Sequence, residues 1–338
     1  MRDPIRTAPT RRTFLQGAAW IGLGAAVANA AKSNIPRRPL GKSGVEVSIL
    51  GMGGFHLGAA EDQDTATKMV HAALDAGINF FDNAWEYHDG QSEEWLGKAL
   101  AGRRHEAVLM TKVCTHGRDK HLAMQMLEES LRRLQTDHLD VWQIHEVIYE
   151  NDPQRIFRPN GAIEALAAAK KQGKVRLVGF TGHKLPSIHM RMLESNFPFD
   201  TVQMPLNPFD STYRSFEQTV LPEANRRGIA VLGMKSLGGS GEMVKKGGVK
   251  VANALRYAMS LPVATTISGI DSPEVLAQNL EILTNFTPMT AEEMKSLREK
   301  CASAAADGRM ELFKSTMMYD GAVGREQHGF PSAERLPA

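Results

Sequence analysis

The sequence predicts an α/β fold, a (β/α)8 TIM barrel, and three observations predict it. Short apolar runs alternate with amphipathic stretches from Val47 onward. Eight such pairs fit into roughly 230 residues, close to the ~250 that this architecture usually takes. Each run is apolar at successive positions, the pattern of parallel strands covered on both faces.

Taken in order, strands are predicted at 47–50, 78–81, 107–110, 139–144, 175–180, 201–204, 229–232 and 263–267. Asp64 or Thr65 caps a first helix that buries Met69, Val70, Ala73 and Leu74 and stops at Gly77. Ser92 opens a second, with Glu93 and Glu94 in the turn where acids favour the helix dipole. Leu122, Met126, Leu127, Leu131 and Leu134 mark the face of a third. Further helical stretches run over 161–172 and 216–227, closed by Gly173 and Gly228, and over 251–261 and 273–284. Thr290 with Glu293 makes a capping box for an extra C-terminal helix outside the repeat. A doubly wound sheet is the alternative. It would usually carry a phosphate-binding glycine turn after its first strand, whereas "GMGGFHLG" at 51–58 puts His56 where the third glycine of G-x-G-x-x-G belongs.

The chain of 338 residues is 42% hydrophobic and 23% charged, an ordinary globular balance. Cys114 and Cys301 are too few for a disulfide framework and have no zinc-ligand spacing, so both read as buried or half-buried thiols. The N-terminus differs in kind. Arg11 and Arg12 precede Phe14 and Leu15, then a weakly apolar stretch and Ala28-Asn29-Ala30, the layout of a twin-arginine export signal over residues 1–31. The stretch from Gly17 to Val27 is about half the ~20 residues of a membrane span, so an uncleaved anchor is the weaker reading and no stable span is expected. Removing Arg2, Arg6, Arg11, Arg12 and Asp3 from 40 basic and 38 acidic residues leaves 36 against 37. The remaining 32–338, read as one barrel domain, is near neutral and suggests no nucleic-acid partner. Export by this route carries folded proteins and implies the twin-arginine translocase as a transient partner, with periplasmic localisation.

In a barrel the C-terminal ends of all strands open onto one face. Read at that end, the second strand gives Asp82 with Tyr87 in the loop beyond it, the third gives Lys112 and the fourth gives His145. Singly, each has a plain structural explanation; jointly, they make a constellation. An ammonium from Lys112 should stabilise phenolate and lower the Tyr87 pKa, while Asp82 holds Lys112. His145 could donate to a carbonyl oxygen and Tyr87 could protonate it. No nucleophile is present, which fits hydride delivery from a nicotinamide.

"RPLGKSGVEVSILGMGG", "FFDNAWEYHDGQSEEWLGKAL", "MTK", "DVWQIH", "VGFTGH", "VQMPLNP", "GMKSLGG" and "TTISGIDSPEVLAQN" follow one another in a set order. In these motifs, from about Arg38 to Phe286, the sequence resembles the aldo-keto reductase superfamily. The resemblance implies an N-terminal β-hairpin before the barrel and a catalytic tetrad of Asp82, Tyr87, Lys112 and His145. It implies an NADP(H) cofactor held without a Rossmann turn. Gly53 would line its site, Thr181 and Gln203 would hold the carboxamide, and Met234, Lys235, Ser236, Leu237 and Gly239 would follow the ring and pyrophosphate. Gly269, Ser272, Gln278 and Asn279 would surround the adenosine. The chain departs from the family at Thr181-Gly182, which replaces a Ser-Asn pair, at Met234, where many relatives stack tyrosine, and at Val275, where NADP-specific relatives often place arginine. Valine cannot replace a bidentate phosphate contact, so NAD(H) stays open.

Phe55, His56, Trp85 and Tyr149 are expected at the pocket rim, where a small carbonyl or alcohol substrate would bind. Two rival readings remain: a non-catalytic nucleotide-binding barrel, and a barrel hydrolase with a metal on Asp82, Glu86, His88, His145 and His183. Export raises a supply problem for a dissociable nicotinamide, and the cofactor is therefore expected to be bound tightly before crossing.

Overall fold

A computed structural model describes residues 35–113, 118–239 and 241–320, together with Gly24, Glu326, His328 and Gly329. The predicted export signal, apart from Gly24, and Cys114 lie outside the described residues. A short antiparallel pair, β1 (Arg37–Pro39) and β2 (Glu46–Ser48), precedes the barrel. Eight parallel strands then close on themselves: β3 (Leu50–Gly53), β4 (Phe80–Asp82), β5 (Val108–Val113), β6 (Leu139–Ile144), β7 (Val175–Thr181), β8 (Thr201–Pro205), β9 (Ala230–Met234) and β10 (Thr265–Gly269), with β10 pairing β3. The predicted (β/α)8 barrel and the hairpin are both present.

Two apolar layers hold the barrel. Inside it, Phe80, Met110, Val141, Leu177 and Leu232 pack together, and Leu40 and Val47 of the hairpin join them from the N-terminal end. The hairpin thus plugs the bottom, and Arg38 fastens it by donating to the carbonyls of Met259, Leu261 and Val263. Between strands and helices lies the larger cluster, with Leu50, Phe81, Leu109, Trp142, Val178 and Val202 facing outward onto the helices. Among the described residues no helix is long and apolar enough to cross a membrane.

The first predicted strand needs correction. Val47 and Ser48 belong to β2 and Leu50 opens β3, while Ile49 between them donates its backbone N–H to Pro36. All four are fully buried, so an apolar run continues unbroken through a change of sheet. The helix at Gln63–Ala76 is capped by Asp62, whose side chain accepts from the Thr65 amide, not by Asp64 or Thr65. Gly90 takes the cap position of Gln91–Ala99, and the buried Ser92 instead donates to the Gly54 carbonyl. The helix Pro186–Glu194 fills the fifth unit, where the sequence reading names none. The capping box of Thr290 and Glu293 opens Ala291–Ala305 as expected, and Cys301 on that helix is a buried thiol raised by burial to about 11.

Beyond that helix the chain returns to the strand C-termini. Lys314, fully buried, meets Asp210 at 2.6 Å and Glu311 at 2.8 Å beside the loop after β8. Asp320 pairs with Lys184 after β7. His328 bonds Asp152 at 2.9 Å and stacks on Tyr149, with ring centroids 4.2 Å apart, after β6. The C-terminal segment therefore lies over the barrel mouth and is held at three successive loops.

Candidate active site

β4 ends on Asp82, β5 carries Lys112 near its end, and His145 follows β6 directly. Tyr87 begins a tight turn, Tyr87–Gly90, in which His88 and Asp89 take left-handed φ values of 52° and 55°. That reversal folds the loop back over the barrel axis and brings the phenol to the three strand ends. The Lys112 ammonium, 1% exposed, donates to the Asp82 carboxylate, to the Asn83 carbonyl at 2.7 Å and to the Tyr87 hydroxyl at 3.4 Å. The rings of Tyr87 and His145 meet edge to face, 5.6 Å apart. All four predicted residues are in one cluster.

The electrostatics differ from expectation in one respect. Burial, followed by the nearby carboxylates of Asp82, Glu86 and Glu146, pushes the Tyr87 phenol well above its ordinary range, despite Lys112. The phenol is therefore held neutral, the form that can give a proton away. Of those acids, Glu146 is an addition that sequence reasoning missed, and Glu86, expected beside Asp82 and His145 only as a metal ligand, joins the cluster through its bond to the imidazole. Glu86 bonds His145 Nδ1, and burial raises Glu146 to about 7. Burial also lowers Lys235 to about 8 and puts His183 well below its usual value. The adjacency of Glu86 to Tyr87 and Glu146 to His145 was the only available signal.

The residues expected around a dinucleotide lie on the neighbouring arc of the mouth. Thr181 and Gln203 pair in register across β7 and β8. The Gln203 amide nitrogen reaches Asp82 at 3.5 Å, and its carbonyl oxygen is buried without a partner. Thr181 donates to the Met234 sulfur at 4.0 Å. The Lys235 ammonium stands 4.9 Å from the Tyr319 ring and 5.3 Å from the Phe313 ring, while Ser236 is buried and Leu237 packs toward Phe209 and Met243. A Cβ placed on Gly239 would come within 2.8 Å of the Tyr319 hydroxyl. Gly53 and Gly269 pair in register on β3 and β10. Ser272 caps Pro273–Thr284, and Asn279 of that helix accepts from Ser268 at 2.9 Å, whereas Gln278 is exposed. An orphaned amide carbonyl beside Asp82 and the Ser272-capped start of Pro273–Thr284 fit the two ends of a dinucleotide.

The rim residues divide. Phe55, 51% exposed, meets the Tyr87 ring edge-on at 5.4 Å. His56 lies so close to Gly269 that a Cβ there would fall 2.4 Å from its Nδ1. Trp85 turns instead to the helix ring, donating to Glu129 at 2.8 Å with Arg133 over its ring, which gives its indole N–H an acceptor there. Tyr149 is buried beneath His328. Four of the five residues of the metal reading are engaged otherwise: Asp82 with Lys112, Glu86 with His145, and His88 with the Phe55 carbonyl at 2.7 Å, while Nε2 of the buried His183 has no partner. Among the described residues no three such side chains are grouped to hold a metal ion.

A model of the Aldo/keto reductase family matches residues 49–249, more than half of the chain. The chain belongs to the aldo/keto reductase family. Aldo-keto reductase YhdN of Bacillus subtilis is 31% identical over 204 residues, covering 56% of this chain and 58% of YhdN, so the chain spans under two thirds of that relative's length. Among solved structures, the holo form of aldo-keto reductase AKR11C1 from Bacillus halodurans superposes with a TM-score of 0.68 at 25% identity, over 79% of this chain and 97% of that one. An aldo/keto reductase from Klebsiella pneumoniae in complex with NADP and acetate gives 0.64 at 24% identity, over 78% and 94%, and bears on the fold alone. The aldo/keto reductase barrel thus accounts for the strand order and for the mouth as the place of the polar cluster.

Proposed function

We propose that the protein is an NAD(P)(H)-dependent oxidoreductase that interconverts a carbonyl compound and an alcohol, with Tyr87 as the general acid and base. The observation that carries this reading is the convergence of a neutral phenol, a buried ammonium and an imidazole with no nucleophile among them. A bound reduced nicotinamide would supply the hydride. The chain supplies the proton and the charge. Asp82 and the Asn83 carbonyl fix the Lys112 ammonium beneath the Tyr87 hydroxyl, so that negative charge arriving on that hydroxyl is met at once. Tyr87 gives its proton to the substrate oxygen, and His145 binds the same oxygen from the other side.

Gln203 and Thr181 would hold the carboxamide, and the start of Pro273–Thr284 the adenosine phosphates. NADP(H) is proposed over NAD(H), in keeping with the family resemblance of the motifs around the mouth. Residues 1–31 are proposed to direct twin-arginine export of a barrel spanning 32–338, with the dinucleotide loaded first.

The test is direct. Tyr87→Phe should lower carbonyl reduction by about 10²–10⁴-fold and leave nucleotide binding, read by fluorescence quenching, intact. Undiminished turnover would reject Tyr87. Protein purified after export should carry nicotinamide absorbance, and empty protein would reject preloading.

A further inference from the structure

Glu86 immediately precedes the phenol, and its side chain turns back into the site instead of out to solvent. One carboxylate oxygen accepts a hydrogen bond from Nδ1 of His145, and the other is buried with no partner. Nε2 of His145 makes no hydrogen bond among the described residues. Below the ring, Arg118 donates to the His145 carbonyl at 2.8 Å and the Glu146 carbonyl at 3.1 Å, which locks the backbone that carries the imidazole. The ring is thus gripped on one nitrogen, tied through its backbone, and open at the other nitrogen beside Tyr87.

We propose that Glu86 is a positioning residue that orients His145 and holds it as an imidazolium, making its Nε2–H a charged donor to the substrate oxygen. The inference rests on the oxidoreductase reading and deepens it. Charge supports it as well as shape. Burial alone would raise the Glu86 carboxyl, yet the imidazole beside it brings it below its ordinary range, as in an ion pair. The charged and titratable groups around His145 come from every side of the mouth: Glu86 and Tyr87 from the turn after β4, Asp82 and Lys112 from β4 and β5, Arg118 on its carbonyl, Glu146 next in sequence, and His183 from the loop after β7, with Lys235 beyond Glu146. With Nδ1 donating to the Glu86 carboxylate, Nε2 can donate as well only when the ring carries both protons. With the phenol held neutral by burial and then by the same acids, a charged donor beside it compensates for the weak acidity of Tyr87.

Glu86→Gln keeps the size and an acceptor while removing the charge, and Glu86→Asp keeps the charge on a shorter arm. The full-length protein is examined in two ways. Imidazole NMR, with His145 assigned by its loss in His145→Asn, should show His145 titrating about one unit or more lower in Glu86→Gln than in the wild type, with Glu86→Asp between them. Reduction of 4-nitrobenzaldehyde by NADPH should show kcat about tenfold lower in Glu86→Gln, the alkaline limb of the kcat profile moved to lower pH, and NADPH affinity unchanged. Equal His145 titration in wild type and Glu86→Gln would overturn the proposal, as would a loss of kcat with an unmoved pH profile. If the wild type turns over no carbonyl compound, the oxidoreductase reading fails by itself, and the NMR titration still decides whether Glu86 governs His145. Should Glu86→Gln not fold, the same titration comparison with Glu86→Asp decides it.

Discussion

Lys112 shows how a single strand-end residue is committed. Its ammonium has three donor directions, and all three find oxygen: Asp82, Asn83 and Tyr87. Glu146 is the opposite case, a carboxyl in the same mouth that burial raises to about 7 from 4.5. Since the folded state holds that proton more firmly than the unfolded one, its contribution to stability is full below about pH 4.5 and is lost as pH rises through about 7. The melting temperature should therefore fall between about pH 5 and pH 8, and Glu146→Gln should flatten part of that fall; equal slopes in the two proteins would remove Glu146 as a source. The tetrad was legible in the sequence because the C-terminal ends of barrel strands and the loops after them open onto one mouth. Glu146 was not, and Glu86 was legible as a neighbour but not in its role, because their direction depends on local turns. Glu146 has a left-handed φ of 48°, and the loop holding Glu86 is reversed at His88 and Asp89.

Elements bounded by caps were read closely, and elements bounded by burial were not. Phe216–Arg227 and Pro273–Thr284 match the sequence reading residue for residue, since Ser215, Ser272 and Gly228 mark their ends chemically. The switch from β2 to β3 leaves no such mark, because both sides of it are core. Pro186–Glu194 has no side-chain cap either, and its buried Ile188, Met192 and Leu193 are too few to stand out as a face. Strand spacing yields its own prediction. A Cβ on Gly179 of β7 would sit 2.2 Å from both the carbonyl and hydroxyl oxygens of Thr201 on β8. Gly179→Ala should cost about 1–3 kcal/mol, measured by urea unfolding, and should disturb the bond from Gln143 to Thr201, now 2.8 Å. A neutral effect would mean that the β7–β8 seam can open without loss.

At the scale of the whole molecule, the barrel is closed at one end by the hairpin and covered at the other by the C-terminal segment. The second closure depends on ions more than on oil. Lys314 is sealed between Asp210 and Glu311, and the Asn207 amide also donates to Glu311 at 2.8 Å. Lys314→Met would leave two acids buried without their cation, and should destabilise the fold by about 3–5 kcal/mol, read by chemical denaturation. A variant as stable as the wild type would show that this cluster is not a fastening. The tail after Asp307 was expected at the pocket rim from the sequence, but the ions that fasten it were not legible, because Lys314 and Asp210 lie 104 residues apart in the chain. The position of this segment in the chain has a further consequence. Phe313, Tyr319 and His328 leave the ribosome only after the eighth barrel strand, so the nascent barrel can be built while its mouth has no roof. A small molecule arriving during synthesis would meet an open vessel, since the order of translation leaves the sealing segment until last.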